Sequence, residues 1–392
     1  MMMTTAILMT CAALSAAQPA EVGTGSMSGF AGRAGLTISA IYTCFDAGDT
    51  PLLRETYPFD EDYKATYLAP ENQESRRNSY SYLWPYSGVL SAVAVLAEND
   101  STYIGLLEDT VLLGLEEYFD TVRTPSAYSS YIVSDRPSDR FYDDNIWLGI
   151  DFADLYSAFG DEKYLQKAEM IWKFIESGTD GKLGGGIYWC EQKKESKNTC
   201  SNAPAAVLAL KLFRITGDDR YLEAGLSLYE WTRNTLQDAS DGLYFDNVSL
   251  DGKLDERKFA YNSGQMMQAA VLLYKITGKR KYLCEARNLA AACSEKFFRE
   301  GNQDAGEPET ILKDGNIWFS AVMLRGYIEL AEATGNRKYI SDFSENLDYF
   351  WEKRRDADGL FDIGDRKGKA GSRHLLAQAA MAEMFARLAY CD

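Results

Sequence analysis

Histidine is almost absent: His374 is the only one in 392 residues. A zinc site of the HExxH type and any multi-histidine metal centre are thereby excluded. Catalysis by a Ser-His-Asp or Cys-His arrangement would have to run through that one side chain. No GxxxxGK[ST] loop is present to cradle a phosphate. A basic stretch is missing as well. Lys and Arg total 41 against 58 Asp and Glu, a net charge of −17. That balance argues against nucleic acid and anionic membranes as partners, because both are bound by neutralising phosphate with Lys and Arg. A neutral ligand such as a sugar is not disfavoured. Seven cysteines fall short of the density of a disulfide scaffold. No segment is long and apolar enough to cross a membrane as a helix. What remains for proton transfer is carboxylate chemistry, with no cofactor and no metal expected.

Aromatic residues are abundant at 13%, including 25 Tyr and 7 Trp. Sugar-binding clefts are one destination for such rings and core packing is the other. Residues 4–17 are apolar and uncharged and are followed by Gln18-Pro19-Ala20. They resemble the hydrophobic part of a secretion signal, although a basic leading region is missing. Leu8-Met9-Thr10-Cys11 approaches a bacterial lipoprotein box with an atypical Thr10. The expectation is a signal-like or disordered segment over 1–25 and one catalytic domain over 26–392. The protein is expected to be exported to the periplasm, cell surface or exterior, with lipidation at Cys11 left open. Cys190 and Cys200 share a loop-like stretch in which a local disulfide is conceivable. Cys284 and Cys293 read as packed thiols of a helix.

A repeat organises the chain. Tyr103, Tyr164, Tyr221, Tyr282 and Tyr339 recur at intervals of 61, 57, 61 and 57 residues, and Gly160, Gly217, Gly278 and Gly335 each stand four residues before the later four. Such periodicity signals a repeat architecture. After each Tyr the pattern is amphipathic, as in Leu165, Ala168, Trp172 and Ile175. Before each Gly it is apolar nearly all round, as in 203–215 and 266–276, which is the composition of enclosed helices. The Gly suits the left-handed cap that ends such a helix. Inner helices are expected near 80–97, 141–159, 202–216, 261–277, 315–334 and 372–390. Outer helices are expected near 28–46, 101–120, 161–177, 218–236, 279–298 and 336–354. Six of each describe an all-α (α/α)6 barrel. An open solenoid is the alternative, but TPR-type repeats of ~34 residues are shorter than these. Inner-to-outer turns are short. The long outer-to-inner connections share a face with the N-termini of all the inner helices, where function is expected.

On that face lies Phe141-Tyr142-Asp143-Asp144-Asn145-Ile146-Trp147. Two carboxylates at a helix start ordinarily cap it. Flanked by Tyr and Trp at a barrel mouth, they also match what glycoside hydrolysis requires. Retaining enzymes hold two carboxyl groups ~5–5.5 Å apart and inverting ones space them more widely. Neighbouring Cα atoms are ~3.8 Å apart, so a retaining separation is reachable. Proximity of like charges should raise one pKa and leave one acid and one anion.

Together with the Asn202-Ala203-Pro204-Ala205-Ala206 helix start and Tyr261-Asn262, this motif resembles glycoside hydrolase family 76 over about 28–390. These are endo-α-1,6-mannanases with an (α/α)6 fold. The resemblance implies a retaining endo-acting hydrolase of α-1,6-linked mannan polysaccharide or oligosaccharide. By it Asp143 is the nucleophile and Asp144 the acid/base. Some members follow Tyr-Asn with Gln-Gly; here Ser263-Gly264-Gln265 follows, which leaves open which side chain there meets the sugar.

Asn145 and Asn202 offer amides to sugar hydroxyls or cap helices. Trp84, Trp189 and Trp318 offer stacking faces or pack the rim. Asp246 lies on a long loop of the same face and offers a hydroxyl acceptor. Asp356, Asp358 and Asp362 lack EF-hand spacing and read as a turn. Two other functions stand beside the mannanase. One is another (α/α)6 sugar enzyme, such as an unsaturated uronyl hydrolase, whose acidic substrate suits a −17 chain poorly. The other is a non-catalytic glycan-binding helical-repeat protein, which has no need of paired carboxylates.

Overall fold

The computed structural model describes residues 29–65, 78–364 and 371–391. The signal-like segment and Cys11 lie outside the described residues. Among the described residues thirteen α-helices follow one another: α1 Phe30–Cys44, α2 Leu83–Asn99, α3 Ile104–Leu106, α4 Leu112–Glu116, α5 Tyr142–Phe159, α6 Glu162–Glu176, α7 Thr199–Thr216, α8 Asp219–Leu236, α9 Ala260–Thr277, α10 Arg280–Phe297, α11 Ile317–Thr334, α12 Lys338–Lys353 and α13 Leu375–Ala389. Helices α2, α5, α7, α9, α11 and α13 form an inner ring in which each packs against the next and α13 returns to α2. The remaining helices pack outside, α6 on α5, α8 on α7, α10 on α9 and α1 on α13. This is an (α/α)6 barrel.

Sequence chemistry explains the two layers. Every residue from Thr199 to Leu210 of α7 is buried, as an inner helix requires. Helix α12 buries only Ile340, Phe343, Asn346, Leu347 and Phe350, one stripe of its surface. Glycine sets the close approach of α9 and α11: a Cβ on Gly264 would lie 2.5 Å from the Met323 Cα. Gly160, Gly217, Gly278 and Gly335 end inner helices with φ of 67°, 70°, 68° and 71°, the left-handed cap that Cβ-bearing residues adopt at a cost.

One outer helix departs from expectation. The segment expected as a helix over 101–120 is broken: a 3-10 turn Ser101–Tyr103, α3, a π-helical joint Leu107–Val111, α4 and then a short strand. The cause lies in the ring beneath. Tyr86 of α2 pushes its hydroxyl into this helix and donates to the Val111 carbonyl at 3.0 Å, and an inserted side chain is a recognised cause of such breaks. Gly114 makes room for it, since a Cβ there would meet the Tyr86 hydroxyl.

Short strands stiffen the long connections. Phe119–Asp120 pairs with Ala127–Tyr128, and Phe298–Glu300 with Thr310–Leu312. Ser196–Asn198, Asn247–Ser249 and Leu254–Asp255 form a three-stranded sheet across two adjacent connections. Thr56–Tyr57 pairs with Arg373–His374, joining the connection before α2 to the one before α13. His374 packs its ring on Tyr63, at 5.1 Å between centroids. Asp356 is a turn residue whose Oδ1 accepts from the Asp358 and Leu360 amides, and among the described residues no group of side chains is placed to hold a metal ion. Nor is any described helix long and apolar enough to cross a membrane. Cys293 is buried, whereas Cys284, read as a packed thiol, is exposed on α10.

Candidate active site

Asp143 and Asp144 occupy the first turn of α5, on the face of the long connections. Both are half-buried, so the pair is neither sealed in the core nor loose in solvent. Their surroundings differ. Asp143 Oδ2 accepts from the Trp189 indole Nε1 at 3.0 Å and from the Cys200 thiol at 3.2 Å. The backbone N–H groups of the helix start add to this, as helix N-termini do for anions. Burial raises the Asp143 pKa to about 6 despite these donors. Among the described residues none donates to the Asp144 carboxyl. Burial and then the Asp143 charge push Asp144 well above the usual aspartate range. One carboxyl is thus equipped to stay ionised and its neighbour to keep a proton.

The loop carrying Trp189 is held from three sides. Tyr142 N–H donates to the Trp189 carbonyl at 2.9 Å, at the start of α5 itself. Arg140, fully buried, clasps Glu191 with Nε and Nη2 at 2.8 and 2.5 Å. The buried Lys197 ammonium donates to Asp180 Oδ1 and to the Lys182 and Gly185 carbonyls at 2.8, 2.9 and 2.6 Å. A buried ammonium needs such a full set of acceptors. Sequence reasoning missed both cations, since nothing in the linear pattern separates them from surface charge.

Asn145 and Asn202 turn their amides to the same structural task. Each is the fourth residue of its inner helix. Asn145 accepts from Tyr128 N–H at 2.8 Å and donates to the Tyr128 and Phe141 carbonyls, both at 2.9 Å. Asn202 does likewise with Ile187 and Asn198. Ser263 and Gln378 take the equivalent places and bind Tyr244 N–H and both backbone groups of Phe361. The device fixes each loop to the helix that follows it. Both amide protons of Asn145 and Asn202 are already committed, which leaves them no donor for a sugar.

The other expected residues separate into two depths. Tyr261 and Asp246 join the pair: the Tyr261 hydroxyl faces Cys200, Asp246 and Asp143, and burial pushes its pKa up. Asp246, 7% exposed, accepts from Asn247 at 3.1 Å and faces Arg257 at 3.5 Å. Asn262 lies beside it, fully buried. Gln265 is one turn deeper and donates to Gln268 at 2.9 Å. Trp84 is partly exposed and sits over Trp318, with centroids 5.3 Å apart. Trp318 is only 1% exposed, wedged edge-to-face between Trp84 and Trp147, so its burial matches the packing role rather than the stacking one. Tyr261 stacks on Phe319 at 4.2 Å and extends this aromatic wall. Deeper in the barrel, Glu383 accepts from Arg325 Nε and Arg387 Nε at 2.7 and 2.6 Å beside Asp151, whose carboxyl burial pushes up to about 7.

The fold is shared with known proteins. A mannosidase of glycoside hydrolase family 76 from Bacteroides thetaiotaomicron is 32% identical, with a TM-score of 0.81 over 92% of this chain and 98% of its own. An α-1,6-mannanase from Salegentibacter sp. shares the fold at 22% identity, with a TM-score of 0.72 over 93% of this chain and 100% of its own. Among curated proteins, the mannan endo-1,6-α-mannosidase DCW1 of Saccharomyces cerevisiae is 28% identical over 30% of this chain and 28% of its own length. A putative mannan endo-1,6-α-mannosidase of Schizosaccharomyces pombe is 24% identical over 51% of this chain and 50% of its own length. The matches therefore span half or less of these curated relatives. The sequence pattern of Glycosyl hydrolase family 76 matches residues 59–309, and the chain belongs to that family.

Proposed function

We propose that the protein is an endo-acting glycoside hydrolase that cleaves α-1,6-linked mannan with retention of configuration. The observation that carries this reading is the unequal environment of two adjacent carboxyl groups. Asp143, supplied with two side-chain donors, is the anion that attacks the anomeric carbon. Asp144, without a donor among the described residues and beside that charge, holds the proton. In the first step the Asp143–carbon bond forms, the glycosidic C–O bond breaks and the Asp144 proton passes to the leaving oxygen. In the second, Asp144 takes a proton from water, the water oxygen bonds to the anomeric carbon and Asp143 leaves. Apart from the attacking water, the groups this chemistry needs are the Asp143 and Asp144 side chains.

The relatives support the substrate class. A variant of the Salegentibacter mannanase, inactive through replacement of two aspartates by asparagine, was solved with α-1,6-mannotriose. The Saccharomyces and Schizosaccharomyces proteins bear mannan endo-1,6-α-mannosidase names. Tyr261, Asn262, Gln265 and Asp246 are proposed to line the sugar site, with Trp84 and Trp189 as its aromatic walls. Polymeric mannan implies export of the enzyme, in keeping with the signal-like start of the sequence, with 26–392 as the catalytic domain.

The test is incubation with debranched α-1,6-mannan and chromatography of the products. A ladder of oligosaccharides is expected from the wild type, and a loss of at least about a thousandfold from Asp143→Asn. Full activity of both Asp143→Asn and Asp144→Asn would refute the site.

A further inference from the structure

Building on the reading of Asp143 as nucleophile, we propose that Cys200 is a positioning residue whose thiol, with the Trp189 indole, fixes Asp143 as the anion of the pair. Cys200 is the second residue of α7, 3% exposed, with Sγ 3.2 Å from Asp143 Oδ2. The local disulfide that the sequence leaves open is not formed: Cys190 and Cys200 are both free, buried thiols. That matters chemically, because a disulfide sulfur has no proton to donate.

Three observations support a donor role rather than simple packing. Both side-chain donors converge on one carboxylate oxygen, Oδ2, and among the described residues Asp144 receives none. The backbone that places Cys200 is itself fixed, with Thr199 N–H bound to the Asp246 carbonyl at 2.8 Å and the Asn202 amide bridging to Ile187. The groups facing this carboxylate are Asp144 on α5, Cys190 on the preceding loop and Tyr261 on α9, while Asp246 on the next loop, with Arg257 beside it, faces the Cys200 thiol and the Tyr261 hydroxyl. In that company a thiol keeps its proton: burial, then the nearby Asp143 and Asp246 charges, push Cys200 well above its ordinary value. It donates throughout the working range and is no nucleophile.

The test compares Cys200→Ala and Cys200→Ser with the wild type. Removing a donor from an anion raises its pKa. Cys200→Ala is expected to move the acid limb of kcat/KM up by about half to one pH unit and to lower kcat several-fold at pH 5, with KM nearly unchanged. Cys200→Ser, whose hydroxyl donates, restores both. Equal loss in Ala and Ser variants, or an unmoved acid limb in a folded Cys200→Ala, overturns the proposal. A carbon-13 NMR titration of the Asp143 carboxyl in an Asp144→Asn background, with and without Cys200→Ala, reads the same shift without substrate. An unchanged titration there defeats the positioning role even if mannan is cleaved. A shifted titration with no mannan cleavage by the wild type would instead defeat the proposed activity alone.

Discussion

Trp189 Nε1 lies 3.0 Å from Asp143 Oδ2, so a ring offered by the sequence as a stacking platform is a hydrogen-bond donor to the first of two paired carboxylates. A bond to a charged acceptor contributes roughly 1.5–3 kcal/mol. Trp189→Phe keeps an aromatic face and removes the donor. Its kcat is expected to fall at least roughly tenfold, with the acid limb shifted upward. A rise in KM alone, with kcat intact, would leave the ring only its place as an aromatic wall of the sugar site and remove the donor role.

The pair should give a bell-shaped pH dependence. Activity needs Asp143 ionised and Asp144 protonated. Asp143 is pushed up to about 6 and Asp144 well above the usual range. Activity is expected to fall below about pH 6 as Asp143 gains a proton, and to fall again on the alkaline side as Asp144 loses one. Initial rates on α-1,6-mannan from pH 4 to 9 check both limbs. A profile flat down to pH 4 would contradict the assignment.

Architecture was legible in the sequence because inner and outer helices differ in which positions are apolar, and because glycine marks the ends of four of the six inner helices at a fixed distance from a tyrosine. The broken outer helix was not legible. Its cause is Tyr86, which reaches across from another helix. Asn145 and Asn202 stood out by type and position, but their use depends on loops that approach them only in the folded barrel. Cys200 carried a signal for pairing, and its contact with Asp143 spans 57 positions of sequence.

The loop-fixing amides give a stability prediction. Replacing Asn145 by Ala strands the buried N–H and C=O of Tyr128. A cost of roughly 2–4 kcal/mol is expected, since each buried unpaired group costs ~1–3 kcal/mol. Thermal or urea unfolding measures it. Unchanged stability with weakened substrate binding would return Asn145 to the sugar site.

Buried carboxyls should also make the fold prefer mild acid. Asp151 is raised to about 7, from an ordinary value near ~4. Between those values the folded chain holds a proton that the unfolded chain has lost, so this contribution to stability is lost as pH rises toward 7. Asp143 and Asp144 act in the same direction. The melting temperature is expected to fall from pH 5 to 8, with a shallower fall in Asp151→Asn. A steeper fall in that variant would reverse the sign argued here.

Labelling the nucleophile tests the central assignment most directly. The enzyme would be incubated with a fluorinated α-mannosyl fluoride, digested and analysed by mass spectrometry. The account predicts one fluoromannosyl adduct on the peptide containing this motif, with fragmentation placing it on Asp143. An adduct on Asp144, or on a residue elsewhere in the chain, would contradict it.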